Sequence, residues 1–260
     1  MNKTIGIFGG GQLGRMMAQA ALPLNIQCSF FEAETDCPAA ILGPVFSSKN
    51  PEALQDFIAS ADVFSLEFEN TPVADVDVLT QTKTLHPSRL ALATAQNRLA
   101  EKGLFDELAI PVAPYRAVDS LESLKQAVAE LGLPIVLKTV TGGYDGKGQF
   151  VLRSEDQIDT AWAELGPAKS LIAESFVKFS REVSIIAVRG QDGDVKTWTL
   201  AENHHHNGIL SHSIVPAPNS TDLQPVAQDY ITRLLNHLNY VGVLTLELFV
   251  TEQGLYANEM

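Results

Sequence analysis

Apolar and polar positions follow two different patterns along this chain, and the change falls between residues 90 and 120. Thr4-Ile-Gly-Ile-Phe8 reads as a strand, Gly9 to Gly14 as a turn, and Leu13, Met16, Met17, Ala20 and Ala21 recur at helical spacing, which makes a βα unit. Cys28-Ser-Phe-Phe31 is a second strand. Glu52 to Ala59 follows as a short helix with Leu54, Phe57 and Ile58 inward, and Asp62 to Phe68 is a strand ending in Glu69-Asn70-Thr71-Pro72. The spacing then predicts one helix, capped near Ser88, that carries Arg98 and Lys102 before Ile110-Pro-Val-Ala-Pro114 breaks the pattern. A domain junction is expected just before or within that helix.

The second half reads differently. Asp119-x-x-Glu122 is a capping box that opens a helix with Leu121, Leu124, Val128 and Leu131 inward and Gly132 as its stop. Pro134 to Lys138 and Phe150 to Leu152 are strand signals on either side of a Gly-rich loop, and a second capping box, Ser154-x-x-Gln157, starts a helix that ends at Gly166. Leu171 to Glu174 is a strand, and Arg181–Arg189 with Val195–Leu200 form a hairpin around Gly190-Gln-Asp-Gly193. A helix with Ala227, Tyr230, Ile231, Leu234, Leu235 and Leu238 on one stripe precedes the strand Val241–Val250. The first half is therefore α/β and the second α+β with mostly antiparallel pairing, and no internal repeat or low-complexity tract interrupts them.

Composition narrows the classes. With 260 residues and 45% apolar content the chain is long enough for about two packed domains. Its net charge of −13 repels nucleic acid and anionic membranes and leaves any phosphate site to local donors. Cys28 and Cys37 are too few for a disulfide framework, and the N-terminus carries neither a signal peptide nor a long apolar run, so a cytoplasmic protein without a membrane or nucleic-acid partner is expected.

Two glycine loops carry candidate chemistry. Lys138-Thr-Val-Thr-Gly-Gly-Tyr-Asp-Gly-Lys-Gly-Gln149 lies between two strands, where backbone N–H groups close on phosphate oxygens and Lys138 and Lys147 add charge. It is not a Walker-type loop, because Gly142 and Gly146 are separated by three residues and the lysine is followed by glycine and a strand. The alternative is a plain hairpin tip. Gly9, Gly11 and Gly14 fit the G-x-G-x-x-G pattern after a strand and before a helix, Glu32 closes the second strand, and Arg15 in the first helical turn favours a bound anion. Read alone, that loop fits either an NAD(P)-dependent oxidoreductase with Glu32 on a ribose, a nucleotide-binding module, or a turn that only packs helix on strand. Glu67 and Glu69, at a strand's C-terminal end, are binding candidates or solvated turn acids.

His204-His205-His206 is read as a polar loop rather than a metal site, since consecutive residues on an extended segment alternate faces. Glu247 is the only charge in its strand. If Glu252-Gln-Gly254 is a three-residue hairpin loop, Thr251 pairs with Leu255, Phe249 with Ala257 and Glu247 with Glu259. Two opposed carboxylates call for a cation between them, and Mg²⁺ typically takes one or two carboxylates and completes its shell with phosphate and water. The alternative is a carboxylate exposed at a sheet edge.

Gly9 to Met16, Glu67-Phe-Glu-Asn70, Gln96-Asn-Arg98 with Lys102, the Lys138–Gln149 block and Asn258-Glu-Met260 together resemble the N5-carboxyaminoimidazole ribonucleotide synthetase family, ATP-grasp enzymes of purine biosynthesis. The resemblance runs from residue 4 to the last residue. It implies a Rossmann-like pre-ATP-grasp domain over 1–95 and an ATP-grasp domain over 96–260, with a lid subdomain at about 113–178 and a larger subdomain over 179–260. It implies ATP with Mg²⁺, or Mn²⁺ in its place, bicarbonate and 5-aminoimidazole ribonucleotide as substrates, carboxyphosphate as intermediate and a homodimer. Another ATP-grasp carboxylate-amine ligase is the neighbouring alternative.

The resemblance also implies roles for residues. Lys138 and Lys147 are catalytic, Arg98 and Lys138 touch ATP phosphates, and Gly143, Tyr144, Asp145, Gly146, Lys147, Gly148 and Gln149 form the loop over them. Glu174, Ser175, Phe176, Val177 and Glu182 hold adenine and ribose, and His205 alone of its trio contacts nucleotide. Glu247 and Glu259 are the metal ligands. Asn258 matches a nucleotide position too, although strand alternation turns it to the other face. Gly11, Gln12, Leu13, Glu69, Tyr144 and Asp145 lie near the ribonucleotide, whose monophosphate takes the Gly9 loop. Asn97 replaces a usual Asp, and Glu202 stands where members vary. The family's longer motif, Asn-Glu-Met-Ala-Pro-Arg, is cut at Met260, so the expected ATP-grasp domain is incomplete, and these 260 residues alone are expected to bind MgATP weakly without carboxylating the ribonucleotide, while a chain extended past residue 260 carboxylates it.

Overall fold

The computed structural model describes residues 3–142, 148–166, 170–206 and 208–260, and contacts divide the chain into two units between Ala93 and Thr94. The first unit contains β1 (Thr4–Phe8), α1 (Gln12–Ala21), β2 (Gln27–Glu32), β3 (Val45–Ser47), α2 (Ala53–Ala59), β4 (Val63–Leu66), α3 (Val73–Leu79) and β5 (Thr84–Leu85). Its five strands are all parallel in the order β3-β2-β1-β4-β5. Successive residues of β1 and β2 enter opposite cores: Ile7 and Phe30 join Ala18 and Ala21 of α1, whereas Phe8 and Phe31 join Phe57 and Phe64. That double burial is why the strands read as apolar runs. The Phe57 ring lies 5.2–5.3 Å from those of Phe8, Phe31 and Phe64.

The helix predicted from Ser88 onward is two helices, α4 (Arg89–Ala95) and α5 (Arg98–Glu107). Asn97 separates them. Its backbone is extended, and its side chain accepts from the amides of Leu99 and Ala100 at 3.1 and 3.0 Å, so the residue that departs from the family's Asp does the work of an N-cap.

Beyond α5 come β6 (Tyr115–Val118), α6 (Leu121–Leu131), β7 (Ile135–Thr139), β8 (Gln149–Leu152), α7 (Ile158–Leu165) and β9 (Leu171–Ser175). The strands make an antiparallel sheet, β6-β9-β7-β8, whose buried side packs Ile135, Leu137, Leu152 and Leu171 against Leu124 and Ala161. The capping box of α6 is Ser120 with Ser123, one residue along from the predicted Asp119 with Glu122. At the second predicted box Ser154 makes no capping hydrogen bond, and only Gln157 reaches back, accepting from the Arg153 amide at 2.8 Å.

The remaining elements are β10 (Arg181–Arg189), β11 (Val195–Thr197), β12 (Ala201–His206), β13 (Ile209–Ile214), α8 (Gln224–His237), β14 (Gly242–Thr251) and β15 (Gly254–Glu259). They form a sheet ordered β13-β12-β10-β14-β15, with β11 paired to the end of β10. One face, with Val183, Ile185, Leu246 and Leu248 fully buried, packs on α8 through Ile231, Leu234 and Leu235. Strand alternation gives the opposite face to Glu182, Ser184 and Glu247. The predicted polar loop at His204 to His206 is strand: the trio belongs to β12, paired with β13 and carrying a register shift between His204 and His205.

Candidate active site

In the first unit the C-terminal ends of β1, β2 and β4 surround a cavity of about 310 Å³ lined by Glu32, Ser48, Glu67, Asn70, Thr71 and Asp75 among others. This is the position where open parallel sheets take ligands. The glycine loop beside it holds the chain's own carboxylate. Gly11 and Leu13 donate their amides to Glu67 at 2.7 and 3.1 Å, and Gly10 donates to Glu32 at 3.0 Å. A Cβ at Gly9, Gly11 or Gly14 would lie 2.6, 2.5 or 2.8 Å from a Glu67 oxygen, so the G-x-G-x-x-G spacing makes room for Glu67. Glu67 also supplies the anion that the first turn of α1, with Arg15 and no acid of its own, calls for.

This arrangement bears on two readings of the loop. A monophosphate in the Gly9 loop, where the resemblance puts it, would lie beside the Gly11 and Leu13 amides that donate to Glu67. The dinucleotide reading needs Glu32 on a ribose, whereas Glu32 accepts from Gly10 and from Ala33 at 2.7 Å. Gln12 and Leu13 are exposed on the first turn of α1, and Glu69 is exposed in the turn after β4, where it accepts from Asn70 at 3.3 Å.

The second unit gathers most of the predicted nucleotide residues. Lys138, one residue before the end of β7, is 3.1 Å from Glu174 on the neighbouring strand β9. Glu174 is 4% exposed, and its Oε2 also faces Lys102 of α5 at 3.8 Å. Burial pushes the Glu174 carboxyl up, but the Lys138 and Lys102 charges outweigh it and hold the group below the usual carboxylate range. Among the described residues its buried Oε1 has no hydrogen-bond partner. Arg98 donates to the Thr139 and Gly142 carbonyls at 2.9 and 2.6 Å, bracing the start of the glycine loop. Ser175 and Phe176 hang the exit from β9 on the Pro114 and Pro134 carbonyls at 2.8 and 3.1 Å. Gly148 takes φ +75° at the other end of the loop, a conformation that favours glycine, and Gln149 pairs with Lys138.

The carboxylate pair is present, for a different reason from the predicted one. The β14–β15 turn has a two-residue loop, so Thr251 pairs with Gly254, Phe249 with Tyr256 and Leu248 with Ala257; the expected Thr251–Leu255 and Phe249–Ala257 pairs do not form. Asn258 is then an extra residue, and this bulge brings Glu259 opposite Glu247. The bulge also corrects the orientation of Asn258, whose side chain is placed to lower the Glu247 pKa. Burial, followed by the facing Glu259 and then Glu182, raises the Glu247 pKa, while His205 and Asn258 lower it. His205 lies 3.4 Å from Glu182. Among the described residues no three His, Cys, Asp or Glu side chains make a ready metal site. Two facing carboxylates, Glu247 and Glu259, fit a divalent ion that draws its other ligands from phosphate and water.

Lys147, Gly143, Tyr144, Asp145 and Gly146 lie outside the described residues. The glutamate and lysine at the centre of the site, Glu101 and Lys102, received no role from the sequence. Both are 2% exposed. The Lys102 ammonium donates to the Asn258 carbonyl at 2.8 Å, and the Met260 amide donates to Glu101 at 2.7 Å, so α5 fixes the end of β15. Burial pushes the Glu101 carboxyl up to about 8 and pulls the Lys102 ammonium down. Their spacing to Phe105 at i+4 and i+3 was the available signal that they lie on the inward stripe of α5.

Comparison with known proteins adds independent findings. A family model described as the ATP-grasp domain matches residues 103–260, and one described as the ribonucleotide synthetase preATP-grasp domain matches residues 1–96. The N5-carboxyaminoimidazole ribonucleotide synthase of Pseudomonas aeruginosa is 42% identical over 258 residues, covering 98% of this chain and 71% of that protein. The enzyme of that name from Brucella melitensis is 44% identical over 262 residues, covering 98% and 72%. The crystal structure of the synthetase from Thermus thermophilus superposes with a TM-score of 0.92 at 40% identity, over 98% of this chain and 70% of that one. The Aspergillus clavatus synthase, solved with ADP and 5-aminoimidazole ribonucleotide, superposes with a TM-score of 0.90 at 27% identity, over 99% and 69%.

Proposed function

The chain belongs to the N5-carboxyaminoimidazole ribonucleotide synthase family and is an ATP-grasp ligase, and we propose that it acts through ATP, bicarbonate and carboxyphosphate. In this reading bicarbonate attacks the γ-phosphoryl group of ATP and ADP leaves. The carboxyl group of the resulting carboxyphosphate passes to the exocyclic amine of 5-aminoimidazole ribonucleotide, releasing phosphate. The opposition of Glu247 and Glu259 on the face that also carries Glu182 and His205 is the observation that carries the reading.

Glu247 and Glu259 would hold Mg²⁺, or Mn²⁺ in its place, and the bound ion neutralises charge on the phosphates. Arg98 and Lys138 serve the phosphates, and Lys147 joins Lys138 in the transfer. Gly143 to Gln149 closes over the intermediate, a need set by the reactivity of carboxyphosphate toward water. Glu174 to Val177, Glu182, His205 and Asn258 take the nucleoside end. Gly11, Gln12, Leu13, Glu69, Tyr144 and Asp145 serve the ribonucleotide, whose monophosphate takes the Gly9 loop. The domains run over 1–95 and 96–260, with the lid at 113–178. The working form in this reading is a cytoplasmic homodimer; among the described residues no helix is long and apolar enough to cross a membrane.

Calorimetric titration with NAD, NADP, MgATP and 5-aminoimidazole ribonucleotide tests this against an oxidoreductase or a bare nucleotide-binding module. MgATP and the ribonucleotide are expected to bind and the dinucleotides not. Tight NAD or NADP binding without MgATP binding would overturn the reading.

A further inference from the structure

We propose that Lys102 is a positioning residue which frees Lys138 for the nucleotide, by remaining as the counter-ion of Glu174 when Lys138 turns to phosphate. The inference rests on the nucleotide site proposed above and assigns it a residue that touches no substrate. Lys102 and Lys138 share one carboxylate oxygen, Glu174 Oε2, at 3.8 and 3.1 Å. Their situations differ. The Lys102 side chain is 2% exposed and that of Lys138 is 20% exposed, one residue from the end of β7, at the mouth of the glycine loop. Lys102 is buried and tied to the Asn258 carbonyl, so Lys138 is the one of the two placed to turn outward.

Glu174 cannot be left alone. It is 4% exposed and its other oxygen has no partner among the described residues, and an unpaired buried carboxylate is strongly unfavourable. Without Lys102, withdrawal of Lys138 would strand that charge, and the carboxylate would hold Lys138 against the pull of the phosphates. With Lys102 in place Glu174 keeps a cation in either state. The same ammonium fixes the main chain next to Glu259, so one buried lysine supports both the phosphate-binding lysine and the strand of the carboxylate pair.

The test compares ATP with adenosine, which has no phosphate for Lys138 to meet. Affinities are measured calorimetrically without metal for the wild type, Lys102→Met, Glu174→Gln, and Lys102→Met combined with Glu174→Gln. For Lys102→Met the ATP affinity is expected to fall about tenfold or more, the loss of one charged contact, while adenosine binding changes less than about twofold. Because Glu174 also serves the nucleoside, the double variant is compared with Glu174→Gln alone: with the stranded carboxylate gone, adding Lys102→Met is expected to change the ratio of ATP to adenosine affinity less than about threefold. That comparison stands even if Lys102→Met alone does not fold. Equal losses for ATP and adenosine, no loss for either, or a double variant about tenfold below Glu174→Gln in the ratio would overturn the proposal. A wild type that binds neither ligand would instead refute the nucleotide site itself.

Discussion

Glu247 and Glu259 face each other across β14 and β15 only because Asn258 is one residue too many for the ladder. Regular pairing from the two-residue turn would set Asn258 opposite Glu247 and send Glu259 past it. The bulge therefore builds the pair and at the same time turns Asn258 toward Glu247. Replacing Glu259 by Gln removes one of the two charges. The expected outcome is a loss of about 1.5–3 kcal/mol in MgATP binding with metal-free ATP little changed, checked by titration with and without Mg²⁺. Equal losses under both conditions would count against a metal role.

Glu67 is expected to matter for stability more than its partly exposed position suggests. Its carboxylate accepts from two loop amides, and no other acid lies in the first turn of α1. Glu67→Ala should destabilise the protein by about 1.5–3 kcal/mol, the worth of hydrogen bonds to a charged group. Gly11→Ala should act similarly, because its Cβ would sit 2.5 Å from the same carboxylate. Denaturant unfolding of both variants measures this, and wild-type stability in either would show that the loop does not depend on Glu67.

Glu101 gives the stability a pH dependence of definite sign. Its carboxyl is pushed up to about 8 in the folded chain from the ordinary 4.5, chiefly by burial, with the Met260 amide, Lys102 and Arg98 opposing and Glu259 adding to the rise. Between these values the folded state holds a proton that the unfolded state has released. Stability from this group therefore falls as pH rises from about 4.5 to 8 and is level above. Glu101→Gln keeps an acceptor for the Met260 amide and removes the titration. Its stability relative to wild type should grow from pH 5 to pH 8 by on the order of 1 kcal/mol per unit, measured by urea unfolding. A pH-independent difference would show that Glu101 does not titrate in this range.

Much of the fold was legible because its signals are local. The β1–turn–α1 unit, the helix of residues 224–237 and the strands around the second glycine loop all announce themselves by period and punctuation. The break between α4 and α5 was not legible: Asn97 interrupts an otherwise continuous helical pattern, and only its capping bonds reveal the stop. The site was half legible. Charge isolation marked Glu247, and the pair with Glu259 was anticipated through a turn of the wrong length, with the bulge making up the difference. Glu67 was placed at a strand end without its destination, since a contact 56 residues away in sequence leaves no periodic trace. The strands β3, β5 and β13 carried no usable signal. All three are edge strands; β3 and β5 are only three and two residues long and pair with β2 and β4 across intervening segments, and β13 pairs with β12 just before it in the chain but has no apolar alternation to mark it.

The central claim is that this protein couples ATP cleavage to carboxylation of a ribonucleotide amine. Its most direct test follows ADP release and the fate of radiolabelled bicarbonate together, with Mg²⁺ and ATP present, and with or without 5-aminoimidazole ribonucleotide. The expected result is ADP release that rises on adding the ribonucleotide, with label entering the ribonucleotide in step with ADP. ADP release that ignores the ribonucleotide, or ribonucleotide that gains no label while ADP accumulates, would contradict the claim.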